Sequence, residues 1–187
     1  MTQYEISPLT PQLWDDLETL FGPNGACAGC WCMYWHLPRK IYDCQTGEAN
    51  RMAFKSLVEQ GPPPGLLAYN ENLPIGWIAL APRSTYPALE RSRVLKPIDD
   101  KPVWSIVCFY IAKKSRKMGV TKALILASID YARSQNGEIL EAYPIDPLGK
   151  KYPPAFAYTG FYSTFIEAGF QEVARRSATR PIVRYYL

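Results

Sequence analysis

The chain has 187 residues, 48% of them hydrophobic and 20% charged, with a formal net charge of +4. This length is typical of one domain, and the composition excludes a wholly disordered or collagen-like protein. The longest apolar stretches are far shorter than the roughly 20 residues that a membrane helix needs, and the N-terminus lacks a signal-peptide pattern. We therefore expect a single domain over residues 1–187, cytoplasmic and without a membrane partner.

In chain order, the first half shows a mixed α and β pattern. Its hydrophobic spacing predicts a strand, two helices and a β-hairpin, followed by an irregular proline-rich segment. The corresponding ranges are 4–7, 11–22, 48–60, 66–69 with 75–80, and 82–102.

The second half begins with the strongest strand of the sequence, residues 103–112. This range is rich in β-branched and aromatic residues and apolar on both faces, which predicts a buried central strand. A basic turn and a long helix ending near residue 136 follow, and a right-handed crossover would make the next strand parallel to the first. The later elements are predicted at residues 139–143 (strand), 158–168 (helix), 170–174 (strand) and 182–186 (strand).

Positive charge is concentrated in the basic turn. Lys113, Lys114, Arg116, Lys117 and Lys122 fall within ten residues that contain no acid. The turn joins a strand end to a helix start, where unpaired backbone N–H groups and the helix dipole attract anions. No Walker motif or G-x-G-x-x-G fingerprint occurs, so the usual nucleotide cradles are not indicated. The segment predicts a phosphate site of another kind.

The turn reads Arg116-Lys117-Met118-Gly119-Val120-Thr121. It resembles the pyrophosphate loop [RQ]-x-x-G-x-[GA] of the GNAT superfamily of N-acetyltransferases, with Thr121 departing from the last, small position. Residues 108–111, 141–144 and 165–170 resemble other landmarks of that family, so the resemblance covers roughly residues 66–187. It implies an α/β (α+β) fold with a mixed, mostly antiparallel central sheet, a central parallel strand pair and flanking helices. It also implies acetyl-coenzyme A as cosubstrate.

The resemblance implies two groups of cofactor-binding residues. Backbone groups of Phe109, Tyr110 and Ile111, at a splay or bulge in the strand, would bind the pantetheine arm. Backbone amides of the basic turn would bind the pyrophosphate; the residues concerned are Arg116, Lys117, Met118, Gly119, Val120 and Thr121.

The catalytic groups are less directly implied. The family's frequent general acid is a tyrosine at the position of Phe165, which cannot donate a proton. Tyr162, three residues earlier on nearly the same helical face, is the expected substitute, with Tyr158 and Ser163 behind it. Glu141 is the candidate general base, directly or through a water, although an ion-paired carboxylate is an equally good interpretation.

A cysteine-rich segment, residues 27–44, is the other conspicuous feature. Four of the five cysteines fall there with the only histidine, His36. A tetrahedral zinc would need a second regularly spaced ligand pair, which is missing, so we expect buried or free thiols and no metal. If the segment is helical, the pairs Trp31/Trp35 and Cys32/His36 at i, i+4 would pack in stripes. His36 is expected to be a packing or pocket residue.

Three functions remain open from the sequence. The first is an acetyl-coenzyme A-dependent N-acetyltransferase acting on a primary amine of a small molecule or peptide. The second is a catalytically degenerate module that binds acetyl-coenzyme A as a sensor or partner subunit. The third, a nucleic-acid binder using the basic turn, is disfavoured because the modest net charge lacks a broad basic face, so we expect no nucleic acid. A homodimer is left open.

Overall fold

A computed structural model of the protein describes residues 4–153 and 156–187. Its α-helices are α1 (Trp14–Phe21), α2 (Arg39–Cys44), α3 (Glu48–Gln60), α4 (Pro87–Glu90), α5 (Val120–Ser134) and α6 (Tyr162–Glu167). Its strands are β1 (Glu5–Pro8), β2 (Gly65–Asn70), β3 (Leu73–Pro82), β4 (Trp104–Ile111), β5 (Ile139–Ala142), β6 (Gln171–Arg175) and β7 (Pro181–Tyr186). No helix in this part of the chain is long and apolar enough to cross a bilayer.

The strands form one sheet in the order β1-β2-β3-β4-β5-β7-β6. Only β4 and β5 pair in parallel, and the other neighbours in the described sheet are antiparallel. Alternate strand residues enter two hydrophobic clusters, because successive side chains point to opposite faces. One cluster includes residues of α1 and α3, and the other includes residues of α5 and α6. The expected mixed sheet with a central parallel pair and flanking helices is therefore confirmed.

Strand β4 is irregular where the family resemblance places the thioester. Ala79 of β3 pairs with Cys108, but Leu80 pairs with Ile106, so Val107 is an extra residue and forms a β-bulge. The ladder between β4 and β5 extends only to the pair Ile106 and Ala142. Beyond this pair the two strands no longer hydrogen-bond to each other, which leaves a splay.

The loop that precedes α6 enters this splay. The Phe109 N–H donates to the Tyr158 carbonyl at 2.6 Å, and the Ile145 N–H donates to the Gly160 carbonyl at 2.9 Å. Residues 158–161 therefore lie between the end of β4 and the continuation of β5. This explains why α6 begins at Tyr162 and not near residue 158 as predicted, since Gly160 has φ of 79°, outside the helical region.

Two other local predictions differ from the structure. Residues 27–36 form successive turns and not a helix, and Trp31 and Cys32 have φ of 44° and 58°. The short helices α2 and α4 were not predicted, because six and four residues hold too little hydrophobic periodicity to be recognised. The remaining predicted helices and strands are present, with ends that differ by at most three residues.

Three arginines from different parts of the chain hold the irregular segment after α4 over the sheet. We call residues 91–101 the strap. The strap carbonyl of Leu95 accepts from Arg83 at 2.8 Å, and that of Pro97 accepts from Arg176 at 3.0 Å. Arg184 of β7 reaches the strap carboxylate of Asp99 at 2.6 Å. These hydrogen bonds therefore fix the position of the strap at this end of the sheet, although it has no regular secondary structure.

Candidate active site

The basic turn forms an anion cradle, which we define as residues 116–121, at the N-terminus of α5. Gly119 is the N-cap residue with φ of 84°, and no side-chain cap occupies the helix end. The backbone N–H groups of residues 117–122 have no hydrogen-bond acceptor among the described residues. A Cβ built on Gly119 would have no atom within 4 Å, so the approach to these amides is open. Unpaired amides, a helix dipole and exposed lysines together suit a phosphate group.

Two contacts hold the cradle on the sheet. The Arg116 Nε atom donates to the Ile111 carbonyl at 3.1 Å, at the end of β4. The Tyr4 hydroxyl donates to the Met118 carbonyl at 2.7 Å. Because these contacts use carbonyls and not amides, they position the turn while its N–H groups stay available. The cradle therefore continues directly from the splayed end of β4.

The edge of β4 that faces the splay presents only alternate residues. The Phe109 N–H points away from β3, to the Tyr158 carbonyl, and the Ala112 N–H points to the Ile75 carbonyl of β3. Backbone directions alternate along a strand, so Ile111 faces the splay whereas Tyr110, paired with Trp77, faces β3. The backbone groups of Tyr110 therefore point to β3, and its role as a cofactor-binding residue stays a prediction. Of the three residues expected to bind the pantetheine arm, Phe109 and Ile111 are suitably oriented.

Phe165, which occupies the usual tyrosine position, is fully buried. Its ring contacts the Phe109 ring edge-on, with centroids 6.0 Å apart, and contacts Phe170 at 5.1 Å. Phe165 therefore lies next to β4, but its side chain can only pack and cannot donate a proton.

The side chain of Tyr162 contacts the edge strand, although its backbone N–H donates to the Ile145 carbonyl beside the splay. Its ring stacks with the Arg175 guanidinium at 5.3 Å, and a hydrogen bond to Glu172 raises the pKa of its hydroxyl. Both partners belong to β6, the edge strand, which is separated from β5 by β7. These contacts argue against Tyr162 as the proton donor to a group held between β4 and β5. Ser163 is exposed on the same short helix.

Tyr158 is better placed than Tyr162. Its carbonyl binds Phe109 inside the splay, and its ring packs against Tyr34 with centroids 6.4 Å apart, on the sheet face that carries α1 and α3. Burial raises the pKa of the Tyr158 hydroxyl to about 12, so the hydroxyl keeps its proton at neutral pH. A protonated hydroxyl beside the splay can act as a general acid.

Glu141 sits in a buried ionic network and not in a solvated position. Its side chain is 1% exposed. Oε1 accepts from the Tyr143 hydroxyl at 2.7 Å and from Arg83 Nη1 at 3.1 Å, and Oε2 accepts from Arg184 Nε at 2.7 Å. Both carboxylate oxygens of Glu141 are therefore already used by donors of the protein. The network joins β5, β7 and the segment after β3. In the structure Glu141 is thus an ion-paired carboxylate, the second of the two interpretations that the sequence left open.

The cysteine segment does not assemble a metal centre within the described residues, where no cluster of three or more metal-ligating side chains occurs. Cys27 and Cys44 are exposed, whereas Cys32 is buried and accepts a hydrogen bond from Trp77 Nε1 at 3.0 Å. The neighbouring thiol of Cys108 and burial raise the pKa of Cys32 well above its usual value, so this thiol stays neutral. Absence of metal from the protein stays a prediction.

The sequence did not identify Arg83 and Tyr143, which bind Glu141, or the buried Tyr86. Arg83 and Tyr86 lie in a segment read only as irregular, and no periodicity marks them. Tyr143 could have been found, because it lies two residues after Glu141, and residues at this spacing share a strand face.

Comparisons with known proteins agree with this geometry. A family model described as "Acetyltransferase (GNAT) family" matches residues 28–147, well over half of the chain. No curated protein matches. Among solved structures, the ribosomal-protein-alanine N-acetyltransferase from Brucella melitensis is 15% identical with a TM-score of 0.57, covering 98% of this chain and 99% of that one.

Two further structures have the same fold. A GNAT-family acetyltransferase from Listeria monocytogenes is 8% identical with a TM-score of 0.58, over 98% of this chain and 95% of that one. The PaiA N-acetyltransferase from Thermoplasma acidophilum, solved in complex with coenzyme A, is 13% identical with a TM-score of 0.53, over 99% of each chain. At these identities the structures show the fold alone, whereas the family model covers the bulge, the splay and the cradle. The chain therefore belongs to the GNAT family of acetyltransferases.

Proposed function

We propose that the protein is an acetyl-coenzyme A-dependent N-acetyltransferase that transfers the acetyl group to a primary amine of a small molecule or peptide. The observation that carries this proposal is the continuity of two features on one strand. Strand β4 leaves its parallel partner after Ile106 and leads, within ten residues, into the anion cradle. A ligand with a phosphorylated end and an extended amide-bearing arm fits this arrangement.

The cradle would hold the pyrophosphate of acetyl-coenzyme A. Backbone amides of residues 117–122 supply the donors, and the open approach at Gly119 lets the phosphates come close. The lysines of the basic turn add charge without a fixed geometry, since most of them are exposed. Thr121 is partly exposed in the first turn of α5.

The exposed backbone of β4 would align the arm and the thioester. The N–H groups of Phe109 and Ile111 face the splay, as a strand edge faces a new partner, whereas the Ile111 carbonyl is used by Arg116. The Phe109 N–H is held by the Tyr158 carbonyl, so this donor becomes available to the thioester only when residues 158–161 shift. The loop before α6 therefore competes with the ligand for one amide.

The reaction needs little more than orientation and one proton donor. An ammonium acceptor first loses one proton to solvent; the neutral amine then attacks the thioester carbon, a C–N bond forms, the C–S bond breaks, the nitrogen loses one proton and the departing thiolate gains one. Tyr158 is our candidate donor, because its hydroxyl stays protonated and its backbone lies in the splay. Placing the amine beside the thioester supplies much of the remaining rate.

A second candidate is an acetyl-coenzyme A-binding module without turnover. Two observations favour it: Phe165 replaces the usual acid and is fully buried, and the Phe109 amide is already occupied. Binding would be the same in both cases, because the cradle and β4 serve both. Release of free coenzyme A thiol in the presence of amines separates the two functions.

The proposal is tested by thermal unfolding with acetyl-coenzyme A, followed by thiol release with a panel of amines. Ligand at about 100 times its dissociation constant stabilises the native state by about 2.7 kcal/mol. For a chain of this size each kcal/mol shifts the melting temperature by about 2–4 °C, so a rise of roughly 5–10 °C is expected. No shift at millimolar acetyl-coenzyme A would refute binding, and a shift without thiol release would favour the module.

A further inference from the structure

His36, the only histidine of the chain, lies on the sheet face that carries α1 and α3. It follows the buried Trp35, and its backbone N–H donates to the Met33 carbonyl at 3.1 Å. Its imidazole packs on the ring of Tyr86, with centroids 4.8 Å apart. The imidazole is therefore held on two sides while remaining partly exposed.

The hydrogen bond of the imidazole fixes its tautomer. Nδ1 lies 3.1 Å from the Thr85 carbonyl oxygen, which can only accept, so Nδ1 carries the proton. Nε2 then has a lone pair and makes no hydrogen bond to any described residue. Burial lowers the pKa of His36 to about 4, and its immediate neighbours, the Thr85 carbonyl and the Tyr86 ring, carry no charge at neutral pH. The result is a neutral, oriented acceptor.

Tyr86 connects this imidazole to β4. It is fully buried, and its hydroxyl has no hydrogen-bond partner among the described residues. Burial raises the pKa of that hydroxyl, with smaller contributions from the thiols of Cys32 and Cys108, and Tyr86 belongs to the hydrophobic cluster against which Cys108 packs. An unpaired hydroxyl in the interior is costly unless a ligand or a water completes it. Tyr34, two residues before His36, packs on Tyr158, whose carbonyl binds the Phe109 N–H, so this segment adjoins the splay.

We propose that His36 binds the acceptor, with Nε2 accepting a hydrogen bond from the acceptor's amino group and the Tyr86 hydroxyl providing a second polar contact further in. This inference rests on the proposed acetyltransferase function and adds the acceptor side of its site. A neutral imidazole accepts a hydrogen bond from an ammonium group without repelling it. Because His36 is a weak proton acceptor, its role is binding and not proton removal.

The surroundings also indicate the class of acceptor. The rings of Tyr34 and Trp35 contact each other just before His36, whose imidazole contacts the ring of Tyr86. The nearby carboxylates of Glu141 and Asp99 are already paired with arginines. Polycationic amines need several unpaired carboxylates, whereas a monoamine on an aromatic or aliphatic body needs one acceptor and apolar surface. The geometry therefore favours 2-phenylethylamine over spermidine as a probe.

Two substitutions separate acceptor binding from a structural role. In His36→Asn the side-chain amide can keep the Nδ1-type donor to Thr85 but has nothing at the Nε2 position, whereas in His36→Gln the longer side chain can place an oxygen there. We expect His36→Asn to raise the KM for the best amine by about 10- to 100-fold, the cost of one hydrogen bond to a charged group. The kcat and the acetyl-coenzyme A dissociation constant should change little, and His36→Gln should recover part of the KM.

The single histidine allows a second readout that does not require turnover. With ¹⁵N-histidine labelling, the only Nε2 resonance should move when 2-phenylethylamine is added to the coenzyme A complex, and spermidine should move it less. If acetyl-coenzyme A binds but no panel amine moves this resonance, or if both variants keep the wild-type KM, the inference is wrong. If acetyl-coenzyme A does not bind at all, the proposed function fails first, and the melting curve alone shows it.

Discussion

The pKa of His36 predicts how the stability of the protein depends on pH between 7 and 5. Burial lowers the pKa of this imidazole from its ordinary value of 6.5 to about 4 in the folded state. The unfolded chain therefore binds a proton in this range that the folded chain does not bind, so stability falls as the pH falls. The free energy of unfolding therefore has its full value well above pH 6.5, and it falls progressively as the pH drops through 6.5 towards 4.

The magnitude follows from the two pKa values. At pH 5 an unfolded histidine is almost fully protonated and the folded one almost fully neutral, so each of the 1.5 units below 6.5 costs about 1.36 kcal/mol. The expected loss between pH 7 and pH 5 is about 2 kcal/mol, or roughly 4–8 °C in melting temperature for a chain of this size.

Urea unfolding at pH 7 and pH 5, for wild type and His36→Gln, measures this effect. The variant lacks the titrating group, so its pH-dependent loss should be smaller by about 2 kcal/mol. Carboxylates with lowered pKa values, such as Glu18 and Glu172, lose stabilisation at lower pH and do so equally in both proteins. Equal losses in the two proteins, within about 0.5 kcal/mol, would show that His36 titrates normally and would remove the basis for a neutral acceptor.

Three further substitutions test other parts of the site. Gly119→Trp should abolish the rise in melting temperature with acetyl-coenzyme A, whereas Gly47→Trp, at another helix N-cap with positive φ and open surroundings, should keep it; equal behaviour would show that the cradle is misplaced. Tyr158→Phe should lower kcat by roughly tenfold or more, since general acids contribute about 10²–10⁴, while Tyr162→Phe should have little effect; the reverse result would restore the edge-strand tyrosine as the acid. Glu141→Gln should destabilise the protein by about 3–5 kcal/mol in urea unfolding, because two buried guanidinium groups lose their charge partner, and a loss under about 1 kcal/mol would contradict the network.

The fold could be predicted where local pattern and tertiary structure agree. Strand β4 is apolar on both faces because it is the fourth of seven strands and covered on both sides, and the long helix α5 has a clear period and end. The start of α6 could not be predicted, because residues 158–161 have helical spacing but bond to β4 and to Ile145. A local pattern contains no information about an insertion between two strands.

The candidate site divides in the same way. The anion cradle is one continuous turn with a glycine at positive φ, so six consecutive residues describe it. The acceptor side brings together residues from the cysteine segment, the end of β3 and the loop before α6, which are far apart in sequence. Tyr162 was chosen by its helical spacing from Phe165, yet Tyr158 lies in the splay because the chain there is extended. Spacing rules apply only within an element.

The distribution of arginine and lysine favours a small phosphorylated ligand over a nucleic acid. Arg83, Arg176 and Arg184 are committed to holding the strap on the sheet, so they contribute little to an exposed basic face. The exposed positive charge of the cradle is supplied mainly by lysines within ten residues, beside amides that lack acceptors. A nucleic-acid surface needs a basic stripe that follows many phosphates, whereas one turn with unpaired amides matches one pyrophosphate group. Substituting Lys113, Lys114 and Lys117 together should therefore weaken acetyl-coenzyme A binding modestly, in a salt-dependent manner, because the backbone amides that remain provide the directional contacts.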